Sequence, residues 1–540
     1  MESLAGDLRQ MQRTPLHEDH VAAMRRVGVV RQYAAGHRLF EPGTPMDRFV
    51  YLLSGELEML DDFTGLRAVS STLGPTQFVG DIAFLSGSAA SMPMRAVSDI
   101  ETLEVARQQM LALMSQIPEM SDIIISVMSA RRRRQIEDRR TSLKLIGADR
   151  SPEIRRIAEF AHRNKIAFES LELDDPQSAE TLARCGLAEN GPAVIFGRDR
   201  PVSDPTPLKI AELLGMDLKL QPDDVFDVVI VGGGPAGVAA AVYAGAEGLR
   251  ALVVEDVSVG GQAGTSSRIE NYMGFPTGIS GSDLVWRGEV QAMKFGSRFA
   301  MPRRATALAR RDDGSFCVTL DEHQPVCTKA VIIATGVQYR RLPIARLEEF
   351  EGSGVYYAAT DMEARFCRNT DAVVIGGGNS AGQAAMFLSR AASHVHLLVR
   401  GDSLAASMSD YLRSRLEADP RISIHYRHDV AQLDGDRALT KITVHDRGSD
   451  TQRCIDSRAL FVMVGAAPNT RWLQGQVELD EKGFVKTGAA VAEESPFATS
   501  VAGVFAVGDV RAGSVKRVAS AVGEGSVVIS KVWSHVFATP

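Results

Sequence analysis

A glycine-rich turn between a strand and a helix constrains this chain most. The stretch "DVVIVGGGPAGVAAAVYAGAEGLRALVVED" has the pattern of strand, turn, helix and second strand, with Gly232, Gly234 and Gly237 spaced as G-x-G-x-x-G. The first glycine permits the tight turn, the second admits a pyrophosphate, and the third lets helix and strand pack closely. The positive end of the helix then faces the phosphates. Glu255 ends the second strand where a ribose-binding acid is expected, so the pattern predicts a dinucleotide-binding unit.

A second turn of the same kind lies in "VVIGGGNSAG", where Gly376, Gly378 and Ala381 are spaced as G-x-G-x-x-A. The next strand, "HVHLLVRGDS", ends in Arg400, at the position that Glu255 occupies in the first unit. An acid there favours a free ribose 2′-hydroxyl, whereas an arginine accommodates a 2′-phosphate. The second unit therefore favours NADPH, with NADH, and a purely surface role for Arg400, as alternatives. Two such units indicate a flavin and a nicotinamide that exchange hydride.

The remaining sequence divides into two further segments, because 540 residues are too many for one hydrophobic core. Short β-like runs broken by Gly and Pro, such as "GHRLFEPGTPMDRFVYLLSGELEML", predict a β-barrel or jelly roll with helices over 1–140. Alternating strands and helices predict a small α/β domain over 141–220. The expected fold class is multidomain, α/β and β, and it ends in two Rossmann-like domains.

Composition and charge exclude several classes of protein. The net charge of -7 gives no general attraction to nucleic acid or acidic membranes, and the basic run Arg131–Arg134 is interpreted as a solvated helix face. The five cysteines are scattered without a C-x-x-C, which argues against a disulfide scaffold or zinc site and suits a reducing cytosol. The first residues lack a signal-peptide core, and no apolar run could span a bilayer. We therefore expect a cytoplasmic protein with no membrane or nucleic-acid partner.

Residues 224–535 resemble the thioredoxin reductase family of low-molecular-weight flavoproteins. An ordered set of motifs carries the resemblance: "GGQAG", "IENYMGFP", "QAMKFGSRF", "AVIIATGVQYRRL" and "GVFAVGDV". It implies FAD as cofactor and an FAD domain in two halves, 224–345 and 465–540, around a NAD(P)H-binding domain at 346–464. It also implies a homodimer, and rotation of the NAD(P)H-binding domain between two orientations.

The resemblance also assigns cofactor contacts residue by residue. The contacts implied for FAD are Gly232, Gly234, Pro235, Ala236, Gly237, Glu255, Gly261, Gln262, Asn271, Thr335, Gly336, Gly508, Asp509, Arg517 and Val518. The contacts implied for the nicotinamide nucleotide are Gly376, Gly378, Asn379, Ser380, Ala381 and Arg400. The helix near "KRVASAVGEG" is expected to point its N-terminus at the flavin, where donors stabilise negative charge on the reduced ring. No metal site is expected.

One motif of the family is missing from this chain. Relatives carry a C-x-x-C dithiol just after "GV" and an aromatic residue, and the flavin reduces it. Here "GVYYAATD" places Ala358 and Asp361 at the two cysteine positions, and neither supplies the thiolate that disulfide exchange requires. Asp361 is instead a candidate acid–base or docking group near the flavin. Cys367 is a candidate catalytic thiol, or else a small buried hydrophobe.

Residues from about 16 to 140 resemble cyclic-nucleotide-binding domains, and "GDIAFLSGSAASMPMRAVS" is similar to their phosphate-binding cassette. Asp81 matches the acid that binds the ribose, although Glu is usual there. Ala90 falls where the phosphate-binding Arg belongs, and a buried phosphate without a charged partner loses its strongest hydrogen bonds. Arg95 is the candidate substitute. A nucleotide-like ligand, another ligand, and a structural or docking role therefore all stay open.

The segment 141–220 resembles thioredoxin-type folds. Asp149–Pro152 stand where active thioredoxins carry C-x-x-C, and Pro192 stands at the position of their cis-proline. The thiols are again missing, so the resemblance implies a redox-inactive module. A compact α/β linker domain of another kind is the alternative.

These features together predict a NAD(P)H-dependent FAD oxidoreductase of the thioredoxin reductase type, with hydride passing to FAD and electrons then passing to an unidentified acceptor. A quinone, a protein metal centre, oxygen and an external disulfide are the open acceptors. One alternative is a thioredoxin-disulfide reductase that uses an unconventional cysteine, Cys367 or Cys185. The other is a flavin-based regulatory protein that responds to a ligand or to redox state with little turnover.

Overall fold

The computed structural model describes residues 14–538 except 139, 189–190, 217–224, 265, 267–268, 270, 322–324, 352, 358, 360, 406, 437 and 474. Each of the predicted segments contains its own sheet or sheets, in agreement with the expected fold class, while the segment boundaries stay predictions. Among the described helices, none combines the length and the apolar character that crossing a bilayer requires.

The first segment contains two antiparallel sheets. Its strands are β1 (Val29–Tyr33), β2 (Arg38–Phe40), β3 (Arg48–Ser54), β4 (Leu57–Met59), β5 (Phe78–Val79), β6 (Met94–Ala96) and β7 (Ile100–Ala106), and its helices are α1 (Glu18–Arg25), α2 (Ala83–Ser86), α3 (Arg107–Gln116) and α4 (Pro118–Glu137). The sheet orders are β1-β7-β3-β5 and β2-β6-β4. The described strands thus form two sheets and not one closed cylinder. Phe49 packs on Phe78 and Phe84 at ring-centroid distances of 5.0 and 5.6 Å, which gives the segment an aromatic core.

Helix α4 carries the basic run, and its arginines divide into two pairs. Arg133 and Arg134 are exposed and pair with Glu137 and Asp138 one turn later, as expected of a solvated face. Arg131 and Arg132 turn inward, and Arg131 donates to the carbonyl oxygen of Gly80 at 3.3 Å. The solvated-face prediction therefore holds for half of the run.

The second segment is a mixed sheet with three helices. Its strands are β8 (Leu143–Ile146), β9 (Glu169–Leu171), β10 (Ala193–Phe196) and β11 (Arg200–Pro201), and its helices are α5 (Pro152–Arg163), α6 (Pro176–Arg184) and α7 (Pro207–Leu213). The sheet order is β11-β10-β8-β9, with β8 and β9 parallel. Each helix has proline at its first position, and Ser151, Asp175 and Thr206 cap them by accepting backbone N–H groups. The strand and helix predictions are confirmed, but the cis-proline assignment was wrong, because the cis peptide bond of the described residues precedes Pro302 and not Pro192.

The third segment begins with a seven-stranded sheet. Its strands are β12 (Val225–Val231), β13 (Ala251–Val254), β14 (Arg298–Ala300), β15 (Ala305–Arg310), β16 (Phe316–Leu320), β17 (Pro325–Ile333) and β27 (Val504–Ala506), and its helices are α8 (Pro235–Ala246), α9 (Gly261–Gly264), α10 (Gly281–Lys294) and α15 (Val518–Ala538). The order is β14-β13-β12-β17-β16-β15, and β27 also pairs with β17. The first four strands in this order, β14, β13, β12 and β17, are mutually parallel, as a dinucleotide-binding sheet requires.

A second seven-stranded sheet lies between the two halves of the first one in the sequence. Its strands are β19 (Val355–Tyr356), β20 (Asp371–Ile375), β21 (Val395–Val399), β22 (Ile422–Tyr426), β23 (His428–Gly435), β24 (Leu439–Asp446) and β25 (Thr451–Val462), and its helices are α11 (Leu347–Phe350), α12 (Asp361–Ala364), α13 (Asn379–Leu388) and α14 (Asp410–Ala418). The order is β22-β21-β20-β25-β24-β23, with β19 beside β25. Two crossing strands, β18 (Val337–Tyr339) and β26 (Ala466–Pro468), pair antiparallel and connect the two sheets. Short 3-10 turns cover Arg365–Cys367, Arg471–Leu473, Gly488–Val491 and Gly508–Val510.

Close backbone contacts fix the helix layer over the first of these sheets. A side chain at Gly237 would place its Cβ 1.9 Å from the carbonyl oxygen of Gly232, and one at Gly525 would place it 2.1 Å from that of Ala236. Both distances are impossible for a real Cβ. Glycine at 237 therefore lets α8 sit on its own turn, and glycine at 525 lets α15 cross α8 at close range.

A polar junction joins the first two segments to helix α10. The Lys165 ammonium lies 3.0 Å from the Asp283 carboxylate and 4.9 Å from the ring centroid of Trp286. Arg132 of α4 donates to the carbonyl oxygen of Lys165 at 3.0 Å. Lys294, at the other end of α10, pairs with Asp122 at 3.3 Å. The three segments thus meet on one helix of the sheet that carries the first glycine-rich turn.

Candidate functional site

The first glycine-rich turn is shaped to hold a pyrophosphate. Gly232 has a φ of 108°, and a Cβ there would lie 2.3 Å from the carbonyl oxygen of Ala334. A Cβ at Gly234 would meet no atom of the protein within 4 Å, so this side of the turn is open. Helix α8 begins at Pro235, and no side chain caps it. Its first N–H groups are therefore available to an anion.

Glu255 closes the turn from the opposite side. Its carboxylate accepts hydrogen bonds from the N–H groups of Gly233, Val257 and Ser258 at 2.7, 3.0 and 3.3 Å. Burial raises the pKa of Glu255, and the neighbouring Asp256 raises it further. These hydrogen bonds fix the position of Glu255. The ribose-binding role of this residue stays a prediction.

A cavity of about 870 Å³ extends from this turn. From the first sheet and its helices it is lined by Gly232, Gly234, Pro235, Ala236, Glu255, Gly261, Gln262, Thr335, Gly336, Gly508, Asp509, Arg517 and Val518. From the second sheet it is lined by Ser380, Gln383, Ala384, Phe387, Arg390, Leu412 and Arg415. Nearly all the residues predicted to contact FAD therefore meet in one place. Asn271 lies exposed on a bend, and neither it nor Gly237 is among the described lining.

The far wall of the cavity is held by contacts between distant parts of the chain. Thr335 donates through its hydroxyl to the carbonyl oxygen of Asn469 at 2.8 Å, and the Gln262 amide donates to the carbonyl oxygen of Val337. Glu524 accepts from the Gly508 N–H at 2.6 Å, which positions the turn that carries Asp509. Burial raises the pKa of Asp509, and this carboxylate is suited to accept hydrogen bonds from sugar hydroxyls.

The second glycine-rich turn has the same construction. A Cβ at Gly376, whose φ is 151°, would lie 2.3 Å from the carbonyl oxygen of Met463. Helix α13 begins at Asn379 after Gly378, again without a side-chain cap, and the Asn379 amide oxygen accepts from the Ser409 N–H at 2.8 Å. Ser380, in the first turn of α13, lines the large cavity. The start of α13 therefore reaches the cavity, whereas Gly376, Gly378, Asn379 and Ala381 are not among its described lining. Arg400 is exposed at the surface.

A separate cavity of about 190 Å³ lies in the first segment. Its lining combines apolar side chains, among them the methionines Met46, Met59, Met92 and Met94, with the cationic side chains of Arg131, Arg134 and Arg140. Ala90 lines it at the position predicted for the missing phosphate-binding arginine. Asp81 accepts from the Ala83 N–H at 2.8 Å and pairs with Arg132 at 3.3 Å. Arg95 pairs with the buried Glu58. Both charged candidates of the cassette are therefore engaged within the protein.

Comparison with known proteins identifies the family. Residues 226–525, more than half of the chain, match the model of the pyridine nucleotide-disulphide oxidoreductases. The chain belongs to this family. Residues 30–117 match the cyclic nucleotide-binding domain, so such a domain is fused to the N-terminal side of the oxidoreductase.

Similar proteins and structures carry the name thioredoxin reductase. The thioredoxin reductase of Streptomyces clavuligerus is 36% identical over 303 residues, which are 56% of this chain and 91% of that protein. The chain is also similar to the solved thioredoxin reductase of Lactococcus lactis in its FR conformation, with 28% identity and a TM-score of 0.54 over 58% of this chain and 99% of that one. The T. acidophilum enzyme gives 28% identity and a TM-score of 0.53 over 57% and 98%.

The oxidoreductase is therefore a NAD(P)H-dependent flavoprotein of the thioredoxin reductase type, and FAD and NADPH are the cofactors of that family. The two cradles fit these cofactors, because each has a glycine turn that only glycine can form and an uncapped helix N-terminus behind it. The prediction of cofactors and enzyme class is confirmed.

The stretch that replaces the family's dithiol borders the large cavity. Tyr357 and Ala359 line it, and the Tyr357 hydroxyl donates to Glu351 at 2.7 Å. Ala358 and the side chain of Asp361 lie outside the described residues. Cys367 is fully buried, its thiol donates to the Glu363 carbonyl oxygen at 3.6 Å, and burial raises its pKa to about 12. The surroundings of Cys367 thus match the alternative of a small buried hydrophobe.

Several cavity residues were not predicted from the sequence to contact a cofactor. Arg163 reaches the cavity from the second segment, at the end of α5. Arg390 and Arg415 line it from the second sheet, and Lys516 lines it from the loop before α15. Their charge is visible in the sequence, but their position depends on how the segments pack. The positive charge of these four side chains suits the phosphates of two dinucleotides.

Proposed function

We propose that this oxidoreductase passes electrons from NADPH, through FAD, directly to an acceptor that binds at the large cavity, without an internal dithiol. NADH is the alternative reductant. The observation that carries the proposal is that the first nucleotide cradle and one face of helix α13, which follows the second glycine turn, line the same cavity. Alanine and aspartate stand where the family's thiols belong.

The chain's own residues divide the work between binding and orientation. FAD and NADPH supply hydride transfer when they are bound. The first N–H groups of α8 bind the pyrophosphate of FAD, and Glu255 and Asp509 accept hydrogen bonds from its sugar hydroxyls. Ser380 and the start of α13 orient the nicotinamide nucleotide toward the same cavity. Arg400 binds a 2′-phosphate from the surface side.

The acceptor must reach the cavity itself, because no relay thiol is available there. The buried Cys367 holds its proton far above neutral pH, and a cysteine attacks a disulfide as the thiolate and not as the thiol. Burial also raises the pKa of Cys185, which stands at the end of α6 in the second segment. A quinone, a protein metal centre, oxygen or an external disulfide reduced directly at the flavin all agree with this geometry.

Stopped-flow spectroscopy under anaerobic conditions tests the proposal. NADPH should bleach the yellow FAD absorbance, with NADH as the comparison, and each class of acceptor is then mixed with the reduced protein. The expected result is rapid bleaching and reoxidation by one class. A flavin that stays oxidised with both nucleotides contradicts the proposal. The double variant Cys367→Ser, Cys185→Ser should behave as the wild type, and loss of disulfide reduction in it would support the unconventional-cysteine alternative.

Asp361 is the proposed acid–base or docking group near the flavin. Measuring the rates of flavin reduction and reoxidation in Asp361→Asn tests whether Asp361 has this role. Slower reoxidation with unchanged reduction by NADPH supports it, and unchanged reoxidation dismisses it.

A second candidate function is control of the flavin site by the N-terminal cavity. Arg132 supports it, because this residue pairs with Asp81 in the cavity wall and donates to the Lys165 carbonyl oxygen in the second segment. Lys165 in turn pairs with Asp283 in the first turn of α10. A ligand that competes for Asp81 would therefore act on the contact between the segments and α10, provided that it binds two states with different affinity.

Cyclic AMP is the probe for this candidate, with the rate of flavin reduction as the readout. A rate change in the wild type that is absent in Arg132→Met, and present in the control Arg133→Met on the exposed side of α4, supports control. Binding of cyclic AMP without any rate change contradicts it, and absence of binding excludes cyclic AMP as the regulator.

We also propose a homodimer in a reducing, cytoplasmic compartment. The thioredoxin reductase resemblance supports the dimer, and five free cysteines agree with reducing surroundings. Light scattering on the FAD-loaded protein tests the dimer, and a monomer at working concentration contradicts it.

A further inference from the structure

Two cysteines face each other on the sheet of the FAD domain, away from the stretch that replaced the dithiol. Cys317 of β16 and Cys327 of β17 are direct partners in an antiparallel pair. Their Sγ atoms lie 3.7 Å apart, and both residues are partly exposed. Their neighbours on each strand, such as Val318 and Val326, are buried. Since side chains alternate along a strand, both thiols lie on the face opposite the core.

The register places the two cysteines where side chains approach most closely. The pair Thr319–Pro325 lies two residues along the same unbroken ladder. Proline has no N–H, so this pair cannot exchange two backbone hydrogen bonds. Hydrogen-bonded and non-hydrogen-bonded pairs alternate along antiparallel strands, which makes Cys317–Cys327 a non-hydrogen-bonded pair as well. The Cα atoms of such pairs are about 4.5 Å apart, inside the range that a disulfide spans.

One of the two thiols has a cationic neighbour. The Arg311 guanidinium donates to Sγ of Cys327 at 3.6 Å, and a nearby guanidinium stabilises a thiolate. Burial raises the pKa of Cys317, and the hydrogen bond to Cys327 raises it further. In the couple proposed below, Cys327, which accepts the Arg311 hydrogen bond, is the attacking thiol, and Cys317 is the thiol that closes the bridge.

The other three cysteines lack this arrangement. Cys367 is fully buried, Cys454 contacts the Thr443 hydroxyl at 3.6 Å, and Cys185 lies in the second segment at the end of α6. Among the described contacts, the sulfur–sulfur approach belongs to Cys317 and Cys327 alone.

We propose that Cys317 and Cys327 form a reversible dithiol–disulfide couple, a modification site oxidised by small-molecule disulfides. The Cys327 thiolate attacks one sulfur of the oxidant, which breaks its S–S bond, forms a mixed disulfide and releases one thiolate. The Cys317 thiolate then attacks Sγ of Cys327, forms the cross-strand bond and releases the second thiolate. Two electrons pass from the two cysteines to the oxidant, and the two thiol protons end on the released thiols.

The bridge has a defined structural effect. It closes the β16–β17 hairpin and restricts the unfolded chain, so the oxidised protein should unfold at a higher temperature than the reduced protein. Strand β17 continues to Ile333, two residues before Thr335, which lines the large cavity. The bridge itself does not involve the flavin, so its formation is independent of the proposed electron acceptor.

Incubation of the FAD-loaded protein with oxidised glutathione, followed by thiol titration and peptide mass spectrometry, tests the couple. We expect two of the five thiols to disappear, with a peptide that links Cys317 to Cys327, and dithiothreitol should restore both. Cys317→Ser should instead accumulate glutathione on Cys327. Cys454→Ser is the control and should still form the bridge.

Two results would overturn the proposal. One is that the wild type keeps all five thiols after oxidation. The other is that Cys317 and Cys327 each carry glutathione without a bridge between them. Both are measured on the wild-type protein, so the test does not depend on whether a variant folds. Reduction of FAD by NADPH should be unchanged in Cys317→Ser.

Discussion

At the scale of single residues, the cofactor cradle depends on positions where a side chain has no room. Gly237 shows this most directly, because its Cβ would overlap the carbonyl oxygen of Gly232 at 1.9 Å. The glycine spacing is local in the sequence, so the strand, turn and helix around it could be predicted. Arg163 and Arg415 could not, because each enters the cavity from an element with no nucleotide motif of its own.

Substitution of Gly237 by Ala should move α8 away from its turn. We expect overpacking to lower the stability of the protein by about 1–3 kcal/mol, and FAD affinity to fall by about tenfold or more, which is about 1.4 kcal/mol per decade. Flavin fluorescence titration and thermal unfolding measure the two effects. Gly523→Ala is the matched control, since a Cβ at Gly523 on α15 meets no atom within 4 Å. Equal FAD affinity in both variants would contradict the packing argument.

A cluster of histidines in the NAD(P)H-binding domain makes stability depend on pH. Nδ1 of His396 lies 3.1 Å from Nε2 of His425, and an Arg453 nitrogen lies 3.0 Å from the latter atom. Burial, together with Arg453 and the other histidines, lowers the pKa of His425 to about 4. The unfolded chain therefore binds the proton more readily, and the stability present above pH 6.5 is lost as the pH falls toward 4.

In the variant His425→Gln, the free energy of unfolding should fall less as the pH is lowered. Urea unfolding between pH 4 and pH 7 measures it as the difference between variant and wild type. His445→Gln serves as the control, because His445 contacts Asp429 and Asp450 instead of other cations. An unchanged pH profile in His425→Gln would exclude this residue as the cause.

At the scale of elements, periodicity predicted the helices and strands of the second segment, and the glycine turns predicted the two βαβ units. For the first segment the sequence predicted a β-barrel or a jelly roll, and the described strands form two sheets, β1-β7-β3-β5 and β2-β6-β4, which agrees with the two-sheet alternative. Whether a sheet closes depends on hydrogen bonds between strands far apart in the sequence. Local patterns of apolar residues and turns do not specify those bonds, and they gave strand positions without strand pairing.

Helix α10 carries the contact between the segments, and Glu289 on it should make that contact depend on pH. Burial raises the pKa of Glu289 to about 7, against the opposing charges of Lys165 and Arg132. The folded state therefore holds the proton more tightly than the unfolded chain. The resulting stability is present below pH 4.5 and is lost as the pH rises through 7.

Glu289→Gln should remove the part of the pH dependence that falls between 4.5 and 7. Melting temperatures over this range, compared with those of the wild type, measure the effect. Glu247→Gln, at an exposed position just after α8, is the matched control and should follow the wild type. If Glu289→Gln also follows the wild type, Glu289 is ionised in the folded protein and the junction does not depend on its proton.

At the scale of the whole molecule, the order of the motifs along the chain indicated the family. The first glycine turn, the second glycine turn and "GVFAVGDV" follow one another in the order that the family has. The way the N-terminal segments pack on α10 could not be predicted. It rests on pairs such as Lys165–Asp283 and Asp122–Lys294, which join residues more than a hundred positions apart and have no local signature. The absence of the dithiol could be recognised in the sequence because the family's motifs are present, in their usual order, on both sides of its position.

Restoring that dithiol tests the flavin site, the nicotinamide site and the domain arrangement together. The double variant Ala358→Cys, Asp361→Cys places two thiols at the sequence positions of the family's C-x-x-C. Tyr357 and Ala359, the neighbours of residue 358 in the sequence, line the cavity. If the flavin, the nicotinamide site and the domain arrangement are otherwise intact, NADPH should reduce the new disulfide, and reduction of an added thioredoxin should rise well above the wild-type rate. Each single variant is a control that cannot form the bridge. The contrary result is a double variant that forms the bridge but keeps its disulfide oxidised while its flavin is reduced. In that case, differences other than the two thiols separate this chain from disulfide-reducing relatives, and the cavity accepts a different electron acceptor.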